Sequence, residues 1–465
     1  MAKMEWAKLL SPERERPSDP SNPSESFRNA FDKDYERIIS SSSVRRLQDK
    51  AQVFPLQEND FTRTRLTHSL EVSSIGRSIG KRVGYRLKEQ GIMSNEQVTE
   101  LASLLAVAGL VHDLGNPPFG HYGEDIIREW FRINSERFGV ADWIKDYLYF
   151  DGNAQTIRIL SRLQFLHDRH GMNFSFGTLG TLLKYPWSSD SSMAATEEKI
   201  GYFSSEKPLI EKVFNSTGMK NNNCEIFKHP ATFLLESADD IAFLFADLED
   251  AVKKGYLPWD ENKNKILETA DKNEAFTELR EKLNKNIKKD EDNKVPSKER
   301  PFNEVTDIRV FCQGICIKEI SKEFVENHDR IMEGNYKNEL IKCDATKAMI
   351  KVIRGICKEY AYRNNEVLSL ELIGKSVMNS LLDKFIGAII DEENYLEPRH
   401  ESGKLYKLIS TNFEYVQKLD DESKLIQNKE LNRKERVQLV IDFISGMTDS
   451  YALNLHKLLL GMRLP

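Results

Sequence analysis

The chain has 465 residues, of which 40% are hydrophobic and 30% are charged, and this composition excludes wholesale disorder. Its 67 Lys and Arg residues against 73 Asp and Glu residues give a net charge of −6 at pH 7, which offers no general attraction for nucleic acid. We therefore predict a folded protein with a substantial core, built as one large domain or about three smaller ones.

The N-terminus and the cysteines indicate a cytoplasmic protein. Residues 1–17 contain no apolar stretch of signal-peptide length, and the longest apolar run, Leu101 to Val111, is too short to span a bilayer. We therefore expect no membrane association. The cysteines are odd in number and form no CxxC pair, which favours buried thiols over disulfides or a zinc site. They are Cys224, Cys312, Cys316, Cys343 and Cys357.

Four segments follow one another along the chain. Residues 1–44 are predicted to form an N-terminal arm and a first helix, because residues 11–26 hold four of the fifteen prolines. Apolar residues then recur at spacings of three and four, which predicts an all-α fold with a helical core over 45–258. Residues 259–303 form a charged surface segment, and 304–465 form a C-terminal helical portion that packs on the core. Helices are expected there around Ile315–Met332, Ala345–Tyr362 and Arg436–Leu460.

Two histidines and two aspartates have the positions expected of metal ligands. His112-Asp113 ends the apolar run LASLLAVAGLVHDLG, so both side chains are predicted at the inner end of a buried helix. His68 and Asp239 each share a helical face with apolar residues and should also point inward. Asp240 falls off this stripe and is expected to be more exposed than Asp239. Burying these polar groups is costly unless a partner such as a divalent cation satisfies them.

Two nitrogen and two oxygen donors suit an octahedral ion with open positions. We expect one divalent ion per site, Mn or Mg first, with Fe, Ni, Co or Zn also compatible. Hydrogen-bonded core histidines explain the same pattern equally well from the residues alone. The dipeptides His167-Asp168 and His328-Asp329 lack inward-facing partners, and the second is expected to be solvated.

A second pair of residues follows the first closely. Pro117 and Pro118 force an extended turn, after which His121 and Glu124 lie at i and i+3 at the start of a helix. A carboxylate against an imidazole fixes its tautomer and raises its basicity, as a general acid or base requires. A surface histidine beside an ordinary helix N-terminal acid is the alternative, and these residues alone favour it.

The strings RLTHSLEVSSIG, LVHDLGNPPFGHYGED and ESADDIAFLFADLED together resemble the deoxyguanosinetriphosphate triphosphohydrolase family of the HD-domain superfamily. Further blocks in the family's order extend from RRLQDKAQVFPL at 45–56 to DFISGMTDSYAL at 442–453. The resemblance implies a helical HD phosphohydrolase core over 45–258. It also implies hydrolysis of dGTP to deoxyguanosine and inorganic triphosphate at a divalent metal.

The resemblance also assigns roles to individual residues. The metal ligands are His68, His112, Asp113 and Asp239, and the catalytic pair is His121 and Glu124. Further positions correspond to phosphate, nucleoside and sugar contacts, namely Arg65 and Lys184 for phosphate, Gln48 for the nucleoside and Asp247 for the sugar 3′ hydroxyl. We also expect Asn116, Tyr185 and Phe243 to contact the substrate. Relatives usually carry Tyr where this chain has Phe243, so a hydroxyl contact is lost while ring stacking on the sugar survives.

Two other functions and two kinds of partner are also compatible with the sequence. A broad-specificity dNTP triphosphohydrolase would use the same site, and a nucleotide- or single-stranded-DNA-binding regulator would use the pocket for binding only. A regulator would have no need of His121 and Glu124, which argues against it. The resemblance implies a homo-oligomer, a tetramer or hexamer. The basic pairs Arg45-Arg46 and Lys81-Arg82 leave contact with single-stranded DNA possible.

Overall fold

The fold is known from a computed structural model. It describes residues 3–17, 27–52, 56, 62–139, 141–164, 168–390, 395–420, 422–427 and 429–462. In these residues the regular structure is helical, with only isolated β-bridges such as that between Arg14 and Ser175. The prediction of an all-α fold is confirmed.

The described residues form twenty-two α-helices, numbered here in chain order. Helices α1 to α6 are Trp6–Leu9, Ala30–Ile39, Ser42–Arg46, Arg65–Glu89, Asn95–Val111 and Gly120–Ile133. Helices α7 to α12 are Lys145–Leu148, Gly152–Arg158, Phe176–Leu182, Ser192–Glu197, Lys207–Thr217 and Pro230–Lys253. Helices α13 to α17 are Trp259–Asp271, Leu279–Asp292, Arg300–Glu326, His328–Met332 and Lys347–Ile356. Helices α18 to α22 are Asn365–Ile390, Glu401–Leu408, Thr411–Gln417, Arg433–Ser445 and Asp449–Leu459.

The helices α4 and α5 form the centre of the fold, and glycines let them approach closely. Gly76, Gly80 and Gly84 recur every four residues along one face of α4 and lie against α5. A Cβ atom on Gly76 would lie 2.9 Å from the carbonyl oxygen of Leu105. Helix α12 packs against both α4 and α5. The three helices that carry the predicted metal ligands therefore meet at one place.

The C-terminal half packs against the helix that carries His121 and Glu124. Helix α18 contacts α6, and it also contacts α21 and α22 near the end of the chain. One contiguous set of buried apolar side chains extends from Met4 to Leu455. The predicted helix over Arg436–Leu460 forms as two helices, α21 and α22, which are separated at residues 446–448.

Two expectations outside the site need correction, those for His328 and Cys224. His328 is buried rather than solvated, because its ring stacks on Trp6 and its Nε2 accepts a hydrogen bond from Trp6 Nε1 at 3.0 Å. The polar sequence around His328 hid this contact with the N-terminus. Within the segment predicted as an arm, Arg14 is buried in an ion pair with Asp34 at 2.6 Å. Cys224 is exposed in a turn, whereas Cys312, Cys316 and Cys357 are buried as predicted and Cys343 is half-buried.

Two further points complete the description. His167 lies outside the described residues. Among the helices that the structure describes, none combines the length and the apolar character that crossing a membrane requires.

Candidate active site

A cavity of about 500 Å³ opens where α5, α6, α12 and α18 come together. Four of the predicted metal-binding and catalytic residues line it, namely His112, Asp113, His121 and Asp239. Four of the predicted substrate contacts also line it, namely Asn116, Lys184, Phe243 and Asp247. The cavity therefore brings together residues that lie more than 130 positions apart in the sequence.

His68, His112 and Asp239 form a compact cluster beneath this cavity. One ligand atom from each residue lies within 4.8 Å of the other two. Asp239 Oδ1 is 3.0 Å from His68 Nε2 and 3.5 Å from His112 Nε2. Two imidazoles and a carboxylate that converge in this way form a suitable donor set for a divalent transition metal ion or Mg.

The protonation of His112 leaves one ring nitrogen free to bind a metal. Its Nδ1 donates a hydrogen bond to the carbonyl oxygen of Gly109 at 2.8 Å, so a neutral ring carries its lone pair on Nε2. His112 Nε2 and both ring nitrogens of His68 are buried and make no hydrogen bond among the described residues. Buried polar atoms without partners are costly, and a bound cation would satisfy those that face Asp239.

Asp113 lies beside the cluster and is held by Arg65. Its Oδ1 is 3.5 Å from His112 Nε2, and its Oδ2 accepts a hydrogen bond from the buried guanidinium of Arg65. Burial would raise the pKa of Asp113, but His112 and Arg65 lower it well below its usual range. The carboxylate is therefore ionised, but it lies outside the group of three residues whose ligand atoms are all within 4.8 Å of one another. His68, His112 and Asp239 fit a divalent metal site, with Asp113 beside it.

The carboxylates also act on the imidazole of His112. Burial lowers the pKa of His112, but Asp113 and Asp239 raise it to about 9. A proton on Nε2 satisfies the carboxylates in the same position that a cation would occupy. Metal binding therefore has to displace this proton.

His121 and Glu124 form the second polar group of the cavity. His121 Nδ1 lies 3.1 Å from Glu124 Oε2, and the imidazole is 79% exposed to the cavity. Glu124 is 2% exposed, and its other oxygen accepts a hydrogen bond from the backbone N–H of Gly152 at 2.7 Å. Lys199 Nζ lies 3.7 Å from Glu124 Oε2.

Charge sets the protonation of this pair. Glu124 raises the pKa of His121, so the imidazolium persists above the pH at which an ordinary histidine loses its proton. Burial would raise the pKa of Glu124, but His121 and Lys199 lower it to about 2. The arrangement is an exposed imidazole on a buried carboxylate that favours its protonated form, which is suited to donating a proton.

The predicted substrate contacts fall into two groups. Asn116, Lys184, Phe243 and Asp247 line the cavity. Gln48, Arg65 and Tyr185 do not line the described part of the cavity, and Gln48 is exposed. Arg65 lies behind Asp113, and Tyr185 follows Lys184 with its ring 5.6 Å from that of Trp187. Residues 53–55 and 57–61, beyond Gln48, lie outside the described residues.

Asp247 has a partner that the sequence did not indicate. Burial raises the pKa of Asp247 to about 7, and the hydroxyl of Tyr362 donates a hydrogen bond to its carboxylate. Tyr362 lines the cavity but lies 115 residues away, after the π-helical turn Cys357–Ala361, so no spacing signal connects the two.

Asp240 is less exposed than the sequence suggested. Its side chain is 20% exposed, compared with 31% for Asp239, because Arg354 Nη2 from α17 lies 2.8 Å from Asp240 Oδ1 and covers it. The expectation that Asp240 is the more exposed of the two is therefore wrong. The periodicity of α12 could not show that a distant helix packs over this residue.

Two protein families match parts of this chain, and curated relatives match nearly all of it. The HD domain family matches residues 65–175, and the phosphohydrolase-associated domain family matches residues 400–458. A deoxyguanosinetriphosphate triphosphohydrolase-like protein of Listeria monocytogenes is 36% identical over 99% of this chain and 100% of its own length. A protein of the same description from Synechocystis is 31% identical over 99% of this chain and 100% of its own length.

A deoxyguanosinetriphosphate triphosphohydrolase of Serratia proteamaculans is 28% identical over 93% of this chain and 94% of its own length. The similarity thus covers nearly the whole chain. The chain belongs to the deoxyguanosinetriphosphate triphosphohydrolase family of HD-domain phosphohydrolases.

Proposed function

We propose that this protein hydrolyses dGTP to deoxyguanosine and inorganic triphosphate by attack of water at the α-phosphorus. The observation that supports this most is the shared cavity, onto which a buried ligand cluster and an exposed imidazole both open. A volume of about 500 Å³ falls in the range of small-molecule sites. The names of the relatives supply the nucleotide and its base.

The proposed metal ligands are His68, His112, Asp113 and Asp239, and the proposed ion is Mn or Mg. Such an ion, when bound, lowers the pKa of water and polarises a phosphoryl oxygen. Hydrogen bonds within the protein orient the ligands toward it. Gly109 fixes the ring of His112, and Arg65 fixes the carboxylate of Asp113.

His121 is the proposed general acid. The nucleoside 5′ oxygen must leave as an alcohol, so it needs a proton as its bond to phosphorus breaks. The imidazole is exposed to the cavity, and Glu124 raises its pKa and so favours the protonated form. Because Glu124 is anchored by Gly152, the imidazole also has a fixed direction.

The remaining residues are proposed to bind the substrate. Lys184 lines the cavity, and Tyr185 and nearby acids keep its pKa raised despite burial, so it can neutralise part of a triphosphate. Asp247 is proposed to accept from the sugar 3′ hydroxyl, and Phe243 to stack on the sugar. Further proposed contacts are Arg65 to phosphate, and Gln48, Asn116 and Tyr185 to other parts of the substrate.

Product analysis tests the proposal directly. The purified protein is incubated with Mn and, separately, with each of the four dNTPs and with GTP, and the products are separated by anion-exchange chromatography. Deoxyguanosine and intact triphosphate from dGTP alone are expected. Triphosphate from several dNTPs would replace dGTP specificity with broad dNTP hydrolysis, and no hydrolysis of any nucleotide would favour a binding-only regulator.

Two further proposals concern organisation. Residues 45–258 are proposed to carry the chemistry, with residues 304–465 packed on them and 259–303 as a surface segment. The chain is also proposed to form a homo-oligomer, which light scattering coupled to size-exclusion chromatography tests. A monomer at micromolar concentration would contradict it.

A further inference from the structure

Helix α6, which carries His121 and Glu124, begins at a turn that is held by the far end of the chain. Phe119 precedes this helix with φ of 62° and ψ of 18°, a left-handed conformation that a bulky residue rarely adopts. Its backbone N–H donates a hydrogen bond to Oδ1 of Asp449 at 2.9 Å. Asp449 is the first residue of α22 and lies 330 positions after Phe119.

Asp449 makes a second bond of the same kind. Its Oδ2 accepts from the backbone N–H of Ala51 at 2.9 Å, and the residue is 2% exposed. Both carboxylate oxygens are thus used to hold backbone rather than to face the cavity. A buried carboxylate needs such partners, and charge-assisted bonds to backbone N–H groups are among the stronger ones.

Lys50 ties the same turn from the other side. It is 3% exposed, and its ammonium donates to the carbonyl oxygen of Asn116 at 2.5 Å and to that of Ser445 at 3.0 Å. The carbonyl oxygen of Lys50 accepts from the backbone N–H of Arg65 at 2.9 Å, at the start of α4. Lys50 therefore connects the turn before α6 to the end of α21 through its side chain, and its backbone carbonyl connects it to the start of α4.

We infer that Lys50 and Asp449 are positioning residues that hold the turn over residues 116–119 and thereby aim His121 into the cavity. This inference rests on the proposed function of His121. It gives the C-terminal portion an indirect part in the reaction, since Ser445 and Asp449 belong to it. Neither Lys50 nor Asp449 lines the described part of the cavity, so both act through the backbone.

A movement of the turn over residues 116–119 would move His121. His121 follows Phe119 by two residues, so rotation of the turn displaces the imidazole together with the first turn of α6. A displacement of about 1 Å in a reacting group can lower a rate by roughly 10²-fold. The ligands His68 and Asp239 lie on other helices, so metal binding should be much less sensitive.

Asp449→Asn tests the inference, because an amide has one acceptor oxygen for the two backbone N–H groups. We expect kcat for dGTP to fall by roughly 10- to 100-fold, while KM and the bound Mn per chain change by less than about twofold. Asp260→Asn is the matched control, since Asp260 also lies in the first turn of a helix and its side chain is 91% exposed. It should leave kcat unchanged.

The double variant distinguishes positioning from general damage. If Asp449 acts through His121, Asp449→Asn should cost less than about twofold in a His121→Ala background. An equal loss in both backgrounds would overturn the inference, as would an unchanged kcat in the single variant. If Asp449→Asn does not fold, Lys50→Met is used instead, with the same expectations.

Hydrogen exchange gives a readout that does not depend on activity. In Asp449→Asn, the backbone amides of Asn116 and of residues 119–124 should exchange at least about tenfold faster, while those of α4 stay as protected as in the wild type. Unchanged exchange in residues 116–124 would overturn the inference even if the rate falls. If the wild-type protein hydrolyses no dNTP, the proposed function fails, and exchange still decides whether Lys50 and Asp449 hold the turn.

Discussion

The two polar groups that open onto the cavity differ in how many of their buried atoms have hydrogen-bond partners in the protein. In the cluster of His68, His112 and Asp239, three buried ring nitrogens have no hydrogen-bond partner among the described residues. Around His121 and Glu124, the imidazole bonds to the carboxylate, and the carboxylate also bonds to Gly152. The first group needs a proton or a cation between its imidazoles and Asp239, whereas in the second the imidazole and the carboxylate already have protein partners.

This difference separates the two chemical roles. A group that the protein leaves incomplete gains most from an external partner, and a cation that binds three or four donors supplies it. A group that is complete within the protein holds its own proton and orientation and needs only the substrate. The cluster should therefore respond to metal, and the His121–Glu124 pair should respond to pH.

Asp239→Ala should have the largest effect, because it removes the carboxylate that faces both imidazoles. We expect loss of bound Mn and a fall in kcat of at least about 10³-fold, since a metal supplies several kcal/mol to such reactions. Mass spectrometry of bound metal and a triphosphate release assay measure the two effects. Asp344→Ala, which removes a 96% exposed carboxylate, is the control. Full activity in Asp239→Ala would contradict the ligand assignment.

His121→Ala should keep the metal and lose the rate. General acid catalysis contributes roughly 10²- to 10⁴-fold, so we expect a fall in kcat of that size with bound Mn unchanged. The same two assays apply. Loss of Mn in this variant would make His121 a ligand and would remove the distinction between the two groups.

Glu124→Gln should shift the pH profile because it removes the charge that raises the pKa of His121. An acid must be protonated, so the rate falls as pH rises through the pKa of His121. Without the carboxylate this pKa drops, and the alkaline fall in kcat should move to lower pH, with about a tenfold loss at neutral pH.

Lys199→Met provides the opposite change. Removing the cation 3.7 Å from Glu124 Oε2 leaves more negative charge near His121, so the alkaline fall should move to higher pH. Profiles of kcat from pH 5 to 10 measure both variants. Shifts of the same sign would show that the charge of Glu124 does not control the acid.

The sequence could predict the ligand cluster because His68 and Asp239 lie on helices with an apolar face and His112 directly follows the apolar helix α5. His68, His112 and Asp239 share faces with apolar residues, and helical periodicity alone shows that they point inward. All-α architecture followed from the same spacing. The glycines of α4 that let these helices approach closely were visible in the sequence, but their contact with α5 was not.

Other contacts depend on tertiary packing between distant segments, and no local pattern indicates them. Arg354 covers Asp240, Trp6 covers His328, and Asp449 holds Phe119 across 330 residues. Periodicity describes which way a side chain points from its own helix, not which helix lies opposite. This is why the burial of Asp240 and His328 was predicted wrongly and why Tyr362 was missed.

Tyr362→Phe should have the smallest effect. It tests whether the hydrogen bond to Asp247, the proposed contact of the sugar 3′ hydroxyl, matters for substrate binding. The Tyr362 hydroxyl donates to the carboxylate of Asp247, whose pKa burial raises to about 7. Its loss leaves Asp247 with one donor fewer, and a net hydrogen bond contributes about 0.5–1.5 kcal/mol. We expect KM for dGTP to change by roughly 2- to 10-fold, with kcat and bound Mn nearly constant.

Comparing the change in KM for two nucleotides shows what Tyr362 does. If Tyr362 orients Asp247 toward the 3′ hydroxyl, KM should rise for dGTP but stay unchanged for 2′,3′-dideoxyGTP, which lacks that hydroxyl. Steady-state kinetics with both nucleotides measure this difference. An equal rise for both would mean that Tyr362 supports the cavity wall and not the sugar contact. Tyr362 and Asp247 would then only support the cavity wall. The specific effects on metal binding and on pH dependence would come from the metal cluster and the His121–Glu124 pair alone.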